Sequence, residues 1–348
     1  MSQILITGGN GWLGSQLIRI LLNGLPEANI DPISKQKIKC LIIPGSDKNI
    51  IHSISKEIEI FEGDLRNVDS VKDFCSGGNE ATLFHCAGII HPNRNIKELF
   101  DVNVTGTENL LKSAINFGVK RTVIVSSNSP TGVSNSPNII FDETSPYNPY
   151  MNYGHSKMLM EKMVQQYQET GGIEAVIVKA PWFYGTGQPP RQTLFFSMIK
   201  NGKVPLIGDG NNLRSMTYLD NLCQGLILCA KIQNANGQTY WIADEKPYKM
   251  NEIIDTIEEL LEKEFKMKVT HKRVKLPYLT GEFATLMDRC LQSFGLYNQK
   301  IHVLSEMNKN IACSIEKAKR ELGYKPTISL KEGMKRSIRW CLKNGHSI

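Results

Sequence analysis

The chain has 348 residues, 41 of them basic and 34 acidic, for a formal net charge of +7. Apolar residues make up 41% and charged ones 22%, which excludes a disordered or fibrous chain. The length suits two modest domains or one large α/β domain with an elaboration, and the spread-out positive charge suits an anionic small molecule rather than nucleic acid.

No apolar run approaches the roughly 18 residues needed to span a bilayer; Leu222–Ala230, among the longest, holds a Gln and a Gly. The start, Met1-Ser2-Gln3 and then strand-like Ile4-Leu5-Ile6, lacks the regions of a signal peptide. The eight cysteines, at 40, 75, 86, 223, 229, 290, 313 and 341, form no C-x-x-C pair and no metal-ligand spacing. A cytoplasmic enzyme with reduced thiols, no metal and no membrane partner is expected.

In chain order, the first half alternates β-rich runs with helical stretches. Strands are predicted at Ile4–Thr7, Lys39–Ile43, Glu57–Phe61, Ala81–Phe84, Thr122–Val125 and Ala175–Val178. Helices are predicted at Trp12–Leu22, Asn103–Phe117 and Met151–Gln168. Strands separated by helices imply right-handed βαβ units and a parallel sheet. Asn23–Ile38, polar and holding Pro26 and Pro32, reads as a surface insertion. The chain leaves the sheet in the Gly/Pro-rich stretch Pro181–Pro190. Beyond it, helices are predicted at Leu194–Asn201, Asp220–Lys231, Asn251–Glu264 and Ser314–Leu322, with strands at Val204–Leu206 and Gln238–Ile242. The expected architecture is α/β: a Rossmann-type doubly wound parallel sheet in residues 1–180, revisited around 216–243, and a smaller α/β substrate domain mainly in 181–348.

Gly9-Asn10-Gly11-Trp12-Leu13-Gly14, preceded by Thr7-Gly8, is G-x-G-x-x-G between a strand and a helix. Glycines there allow a tight turn, close approach to a pyrophosphate and close helix–sheet packing, while the helix N-terminus meets the phosphate charge. The pattern points to NAD or NADP. The acid that usually follows the second strand and favours NAD is absent, because Ile43-Pro44-Gly45-Ser46-Asp47-Lys48 occupies the place. Ser46 and Lys48 suit a 2′-phosphate and Asp47 suits a ribose hydroxyl, so the choice stays open; a plain exposed turn is the alternative.

Tyr153 and Lys157 stand at i and i+4, on one face of the predicted helix. A nearby ammonium lowers a phenol's pKa from about 10 and makes it a usable proton shuttle. Val123-Ile124-Val125 leads into Ser126-Ser127 at the carboxyl edge of the predicted sheet, 26 residues before Tyr153. A hydroxyl there can bond a substrate oxygen beside the phenol. A Y-x-x-x-K spacing by itself is more often a solvated helix face; here it follows the glycine turn and the serine.

Together these motifs resemble the extended short-chain dehydrogenase/reductase superfamily, specifically its NAD-dependent epimerase/dehydratase group, over nearly the whole chain. Gly63-Asp64-Leu65-Arg66 looks like the family's adenine turn, and His85-Cys86-Ala87-Gly88 like its cofactor-lining strand end. Asn103–Thr107 looks like the start of its central helix, Ala180–Gly185 like the exit to the substrate domain, and Leu322–Pro326 with Trp340 like its C-terminal end. The resemblance implies a sheet of about seven strands. It makes Tyr153 the catalytic acid or base, with Lys157 lowering its pKa and holding the nicotinamide ribose and Ser127 orienting the reacting oxygen. It places the cofactor against Gly8, Gly11, Trp12, Leu13, Gly14, Asp64, Leu65, Cys86, Ala87, Gly88 and Asn103, as well as Tyr153 and Lys157. A homodimer through the helix near Asn103 and the helix carrying Tyr153 is also implied.

Gly208–Asn221 resembles the segment that holds the diphosphate in sugar-nucleotide enzymes, with Arg214 forking onto phosphate oxygens; pairing with Asp209 or Asp220 is its bland alternative. Arg191 is a second candidate anion contact or a surface arginine. Ser127, Arg214 and Arg191 thus form the expected substrate set. The leading expectation is an NAD(P)-dependent epimerase of a nucleotide-diphosphate sugar. A reductase or dehydrogenase of a hydrophobic, steroid-like alcohol is the first alternative, and a non-catalytic cofactor-binding regulator the second. Dehydration is disfavoured, because Asn128-Ser129-Pro130 after Ser127 supplies no acid.

Overall fold

Short aliphatic runs bounded by turn residues build the central sheet of the computed structural model, which describes residues 3–33, 36–93, 95–134 and 136–348. Its strands are β1 (Gln3–Thr7), β2 (Lys37–Ile42), β3 (Glu59–Glu62), β4 (Thr82–His85), β5 (Arg121–Ser127) and β6 (Glu174–Ala180). Short strands β7 (Trp182–Tyr184), β8 (Pro205–Ile207), β9 (Leu213–Arg214) and β10 (Met216–Tyr218) follow. β11 (Thr239–Trp241) returns to the sheet, and β12 (Tyr248–Lys249) and β13 (Val274–Leu276) lie beyond it. The large sheet has seven parallel strands in the order β11-β6-β5-β4-β1-β2-β3, so the strand order reverses between β1 and β4. A ligand crevice belongs at that reversal, outside the carboxyl ends of the strands. Ile4, Leu5 and Ile6 are all fully buried, as a sheet covered by helices on both faces requires.

The helices are α1 (Trp12–Asn23), α2 (Asn49–His52), α3 (Val68–Cys75), α4 (Lys97–Phe100), α5 (Thr107–Asn116), α6 (Met151–Glu169) and α7 (Pro190–Lys200). After them come α8 (Leu219–Lys231), α9 (Met250–Glu259), α10 (Tyr278–Ser293), α11 (Gln299–Glu306), α12 (Glu316–Leu322) and α13 (Leu330–Lys343). One sheet face packs Leu17, Ile18 and Leu21 of α1 with Leu222 and Leu226 of α8. The other packs Phe74 of α3, Leu110 and Leu111 of α5, and Met160 and Val164 of α6.

Three local departures from the sequence reading have physical causes. The helix expected from Asn103 opens as a π-turn, Asp101–Gly106, and only then becomes α5. The insertion 23–38 is not wholly superficial, because Leu25 and Ile30 are buried and bridged to each other; Ser34 and Lys35 of it lie outside the described residues. The chain also meets the first core a further time near its end, where Ala318 and Leu322 of α12 and Tyr324 join the cluster around α8. The Tyr324 hydroxyl donates to the Ala243 carbonyl at 2.8 Å.

A second core gathers Tyr184, Tyr218, Ile253, Ile257, Met334 and Ile338 from β7, β10, α9 and α13. The α10–α11 hairpin, absent from the sequence reading, packs over the start of α6. No described helix is long and apolar enough to cross a membrane. Among the described residues, no group of three or more His, Cys, Asp or Glu is placed to hold a metal ion.

Glu161 of α6, with no exposed surface, anchors that helix to the sheet. It accepts from the Ser126 hydroxyl on β5 and from the Tyr147 phenol, and it pairs with buried Lys179 of β6 at 3.2 Å. Lys179 also donates to Thr131 Oγ1 at 3.0 Å. Removing one member of a buried ion pair strands the other charge, at a cost of about 3–5 kcal/mol. Glu161→Leu is therefore expected to lose stability on that scale in denaturant unfolding, and Glu161→Leu with Lys179→Met to recover most of it.

Candidate active site

The site assembles at the carboxyl ends of β1, β4 and β5. Gly8 takes φ 71°, and a methyl group on it would lie 3.0 Å from the Ala87 backbone, so the turns after β1 and β4 touch only through a glycine. A methyl on Gly14 would strike the Gly8 carbonyl at 2.2 Å, which forces glycine where α1 packs on the turn. Gly11 is the N-cap of α1, with no side-chain cap and no acid in the first turn. Those free N–H groups and the helix dipole suit a pyrophosphate. Leu13 is buried in the core, leaving only its backbone for a ligand. The Trp12 indole does not stand free over the turn: it donates to the Thr186 carbonyl at 2.6 Å and packs on Phe183.

Along the crevice, Asp64 is engaged by Arg66 at its carboxylate and held below the usual carboxylate range by that bond, while Leu65 is buried. Thr7 Oγ1 meets His85 Nδ1 at 2.7 Å, and His85 Nε2 meets Thr107 Oγ1 at 2.9 Å. Burial and the nearby Lys157 charge push His85 down to about 3, so it is a neutral tie between β1, β4 and α5. Burial holds the Cys86 thiol up at about 12, so it stays protonated. Asn103, at the π-turn, accepts from Ile89 N and donates to Ile89 O, both at 2.9 Å, and reaches Ser156 Oγ at 3.1 Å. It staples the β4 exit to α6. A methyl at Gly88 would sit 3.1 Å from Asn103 Oδ1 and 3.9 Å from Lys157 Nζ, which places Gly88, Asn103 and the ammonium together.

α6 begins under constraint, with Met151 at φ 53°, a left-handed backbone that non-glycine residues rarely take. Gln292 of α10 holds the turn by accepting from Asn152 N at 3.0 Å and Asn152 Nδ2 at 2.9 Å. The next residue is Tyr153. Burial raises its pKa to about 12, against the lowering effects of the neighbouring Ser127 side chain and the Arg191 charge. Lys157 donates to the Val125 carbonyl at 2.8 Å, and burial pulls it down to about 8, opposed by the Glu161 charge. The Lys157 ammonium is turned to the β5 carbonyl, and of the charges acting on Tyr153, Glu306 and Glu161 oppose the phenolate while Arg191 favours it.

Arg214, on β9, is almost fully buried and pairs with neither Asp209 nor Asp220. Asp209 caps Asn211 N at 2.9 Å, and Asp220 accepts from Gln16 at 2.7 Å. The Arg214 guanidinium gives Glu306 O one bond at 3.1 Å, lies 6.0 Å from the Trp182 ring, and leaves its Nε without a partner. A buried, under-bonded guanidinium is a poised anion receptor.

The hairpin α10–α11 roofs this region, and nothing in the sequence pattern pointed to it. His91 bonds the Tyr297 hydroxyl, and His302 Nδ1 lies 2.7 Å from Asp288 Oδ2. Burial pulls His302 down, but the Asp288 bond and the Glu306 charge outweigh it, so its pKa is raised. Burial and the Arg191 and His302 charges hold His91 at about 3, which makes it a neutral contact. Separately, a cavity of about 750 Å³ opens between the start of α6 and α10, lined by Tyr150, Asn152, His155, Arg289, Gln292 and Lys309.

Residues 4–243 match the model of the NAD dependent epimerase/dehydratase family. An uncharacterized protein, y4nL, of Sinorhizobium fredii is 48% identical over 99% of this chain and 96% of its own length. The 3beta-hydroxysteroid-dehydrogenase/decarboxylase isoform 1 of Arabidopsis thaliana is 28% identical over 96% of this chain and 78% of its own. A putative UDP-glucose 4-epimerase of Methanocaldococcus jannaschii is 27% identical over 99% of this chain and 100% of its own. With a family match across most of its length and a glycine turn, Tyr153 and Lys157 arranged at one sheet edge, the chain belongs to the NAD dependent epimerase/dehydratase family.

Proposed function

We propose that the protein is an NAD-dependent epimerase of a nucleotide-diphosphate sugar, and the observation that carries this reading is the buried, unsatisfied guanidinium of Arg214. An alcohol without phosphate offers such a group only a single neutral acceptor, whereas a diphosphate supplies the charged, paired acceptors its fork fits best. Arg191, whose charge acts on Tyr153, adds a second positive group. The putative UDP-glucose 4-epimerase relative supports the same substrate class.

The dinucleotide would lie along the glycine turn, Asp64, Leu65 and the Cys86–Gly88 strand end, and when bound it supplies a hydride acceptor. With the oxidised dinucleotide bound to take up hydride, its positive ring would favour the Tyr153 phenolate, whose Oη would accept the hydroxyl proton as the substrate carbinol becomes a ketone. Ser127 holds the reacting oxygen, and Arg214 keeps the diphosphate still while the ketone presents its other face. Tyr153 would return the proton to the carbonyl oxygen once the other face is reduced, so the epimer would form with no net redox change. Lys157 and Asn103, which come together at Gly88, would hold the nicotinamide ribose. The choice of NAD is supported by Lys48, the single cation of the turn after β2, which is engaged by Glu62 at 3.0 Å instead of standing free for a 2′-phosphate.

Eight unpaired cysteines support a cytoplasmic setting. The separate hydrophobic clusters support a division into residues 1–180, with a return around 216–243 and a further one at α12 and Tyr324, and the rest of 181–348 mainly for substrate. The half-buried Met158 and Met163 on α6 support a homodimer through α5 and α6. A second reading, oxidation or reduction of a hydrophobic alcohol, is favoured by the steroid dehydrogenase relative.

Tyr153→Phe is expected to cut turnover by about 10²–10⁴, with folding and dinucleotide binding intact by calorimetry. Arg214→Ala should chiefly raise KM for UDP- or GDP-sugars, and wild-type turnover should yield a stereoisomer without change in the reduced-nicotinamide absorbance. Stoichiometric consumption of reduced cofactor with a steroid ketone, indifferent to Arg214, would establish the second reading. Light scattering at micromolar protein should give the dimer mass.

Lys157 titrates near 8 in the folded chain against 10.5 for an ordinary lysine, so the unfolded chain binds the extra proton between those values. Its contribution to stability is present above pH 10.5 and lost as the pH falls through 8. Relative to Lys157→Met, the wild-type melting temperature is therefore expected to rise across that window and to sit at its constant low offset below it.

A further inference from the structure

α10 is amphipathic in the opposite sense from a core-facing helix. Its inner face consists of Gly281, Ala284, Thr285, Asp288 and Gln292, all buried. That face is satisfied by polar contacts: Thr285 to Gly281 O at 2.8 Å, Asp288 to His302, and Gln292 to Asn152. Its outer face is apolar: Leu279 is 74% exposed, Phe283 and Leu286 64% each, and Phe294, just past the helix, 77%. Met287 and Leu296 extend the patch. At about 100° per residue, positions 279, 283, 286, 287 and 294 fall within one arc roughly 100° wide, opposite the polar face. A contiguous exposed apolar stripe of this kind marks an interaction surface.

Exposed cations stand in the chain before, on and after α10. Lys266, Lys268, Lys272 and Lys275 precede it, Arg289 lies on it about 60° from the stripe's edge, and Lys300 follows on α11. Among the described residues none of these six makes an ion pair. The nearby acids are occupied: Glu282 holds Lys309, Asp288 holds His302, and Asp255 and Glu258 hold Arg273.

We propose that the outer face of α10, with its flanking lysines, docks the protein on the surface of an anionic lipid bilayer. Apolar side chains entering the acyl boundary beneath a ring of cations at the headgroups is the arrangement of an interfacial helix. A 16-residue helix, about 24 Å long, lies in that plane rather than crossing it. A second copy is a poorer occupant, because a two-fold interface would bring these unpaired cations against their own counterparts. The inner face of the same helix holds Asn152, next to Tyr153, so docking sets the candidate active site directly above the bilayer surface. This inference stands apart from the substrate reading.

Sedimentation of the full chain with vesicles of phosphatidylcholine alone, or mixed with phosphatidylglycerol, tests it. Binding to the mixed vesicles is expected, at least about tenfold tighter than to neutral ones and weakened by added salt. Phe283→Ser with Phe294→Ser should abolish binding. Lys268→Glu, Lys272→Glu and Lys275→Glu together should remove the preference for anionic lipid. Both variants should keep the wild-type circular dichroism, solution mass and vesicle-free turnover, so a wrong substrate leaves this test intact. Absence of vesicle binding by the wild type, or binding that the stripe variant retains, overturns the proposal. So does a solution mass that falls in the stripe variant, which would assign the face to a second copy.

Discussion

The candidate site depends on one buried carboxylate. Glu161 ties α6 to β5 through Ser126 and to β6 through Lys179, and so fixes the helix bearing Tyr153 and Lys157 against the strand bearing Ser127. A phenol and a serine hydroxyl from elements 26 residues apart meet only if helix and strand keep one register. Apolar packing alone resists sliding weakly, since one aliphatic contact replaces another at little cost. A buried ion pair with two further hydrogen bonds has a single satisfied arrangement, which is what a fixed register demands.

The second constraint acts from the other side. Gln292 grips the left-handed start of α6, Tyr297 bonds His91, and Tyr150 bonds Ser305, all from the α10–α11 hairpin or the loop joining its helices. The residues over the crevice thus come from the hairpin as well as from the sheet, and the two are joined at the start of α6. Arg214 belongs to this upper layer: its one hydrogen bond goes to the last residue of α11, so a ligand anion and the hairpin share the same guanidinium.

Much of the lower layer was legible in the sequence because it is written in local patterns. Aliphatic runs marked the strands, the glycine spacing marked the turn before α1, and the i, i+4 pair marked the face of α6. The upper layer was not, because it is written in contacts between distant residues. The outward apolar face of α10 hides a helix whose inner face is Gly, Ala, Thr, Asp and Gln. Glu161 looked like any helical acid, and only its partners Ser126, Tyr147 and Lys179 show that it is buried. The orientation of Lys157 toward the Val125 carbonyl likewise depends on packing that spacing does not encode.

The π-turn at Asp101–Gly106 carries a consequence for how chain length can vary. A π-turn holds one residue more than an α-helical turn of the same span, and that residue lets Asn103 reach Ile89 and Ser156 while α5 continues against α6. Deleting one residue there would restore regular helix and keep its two ends in phase, but it would withdraw Asn103 from Ile89 and Ser156. A deletion at 101–106 therefore costs the tie between the β4 exit and α6 and leaves the packing of α5 in place. Length, not only composition, is under restraint at 101–106.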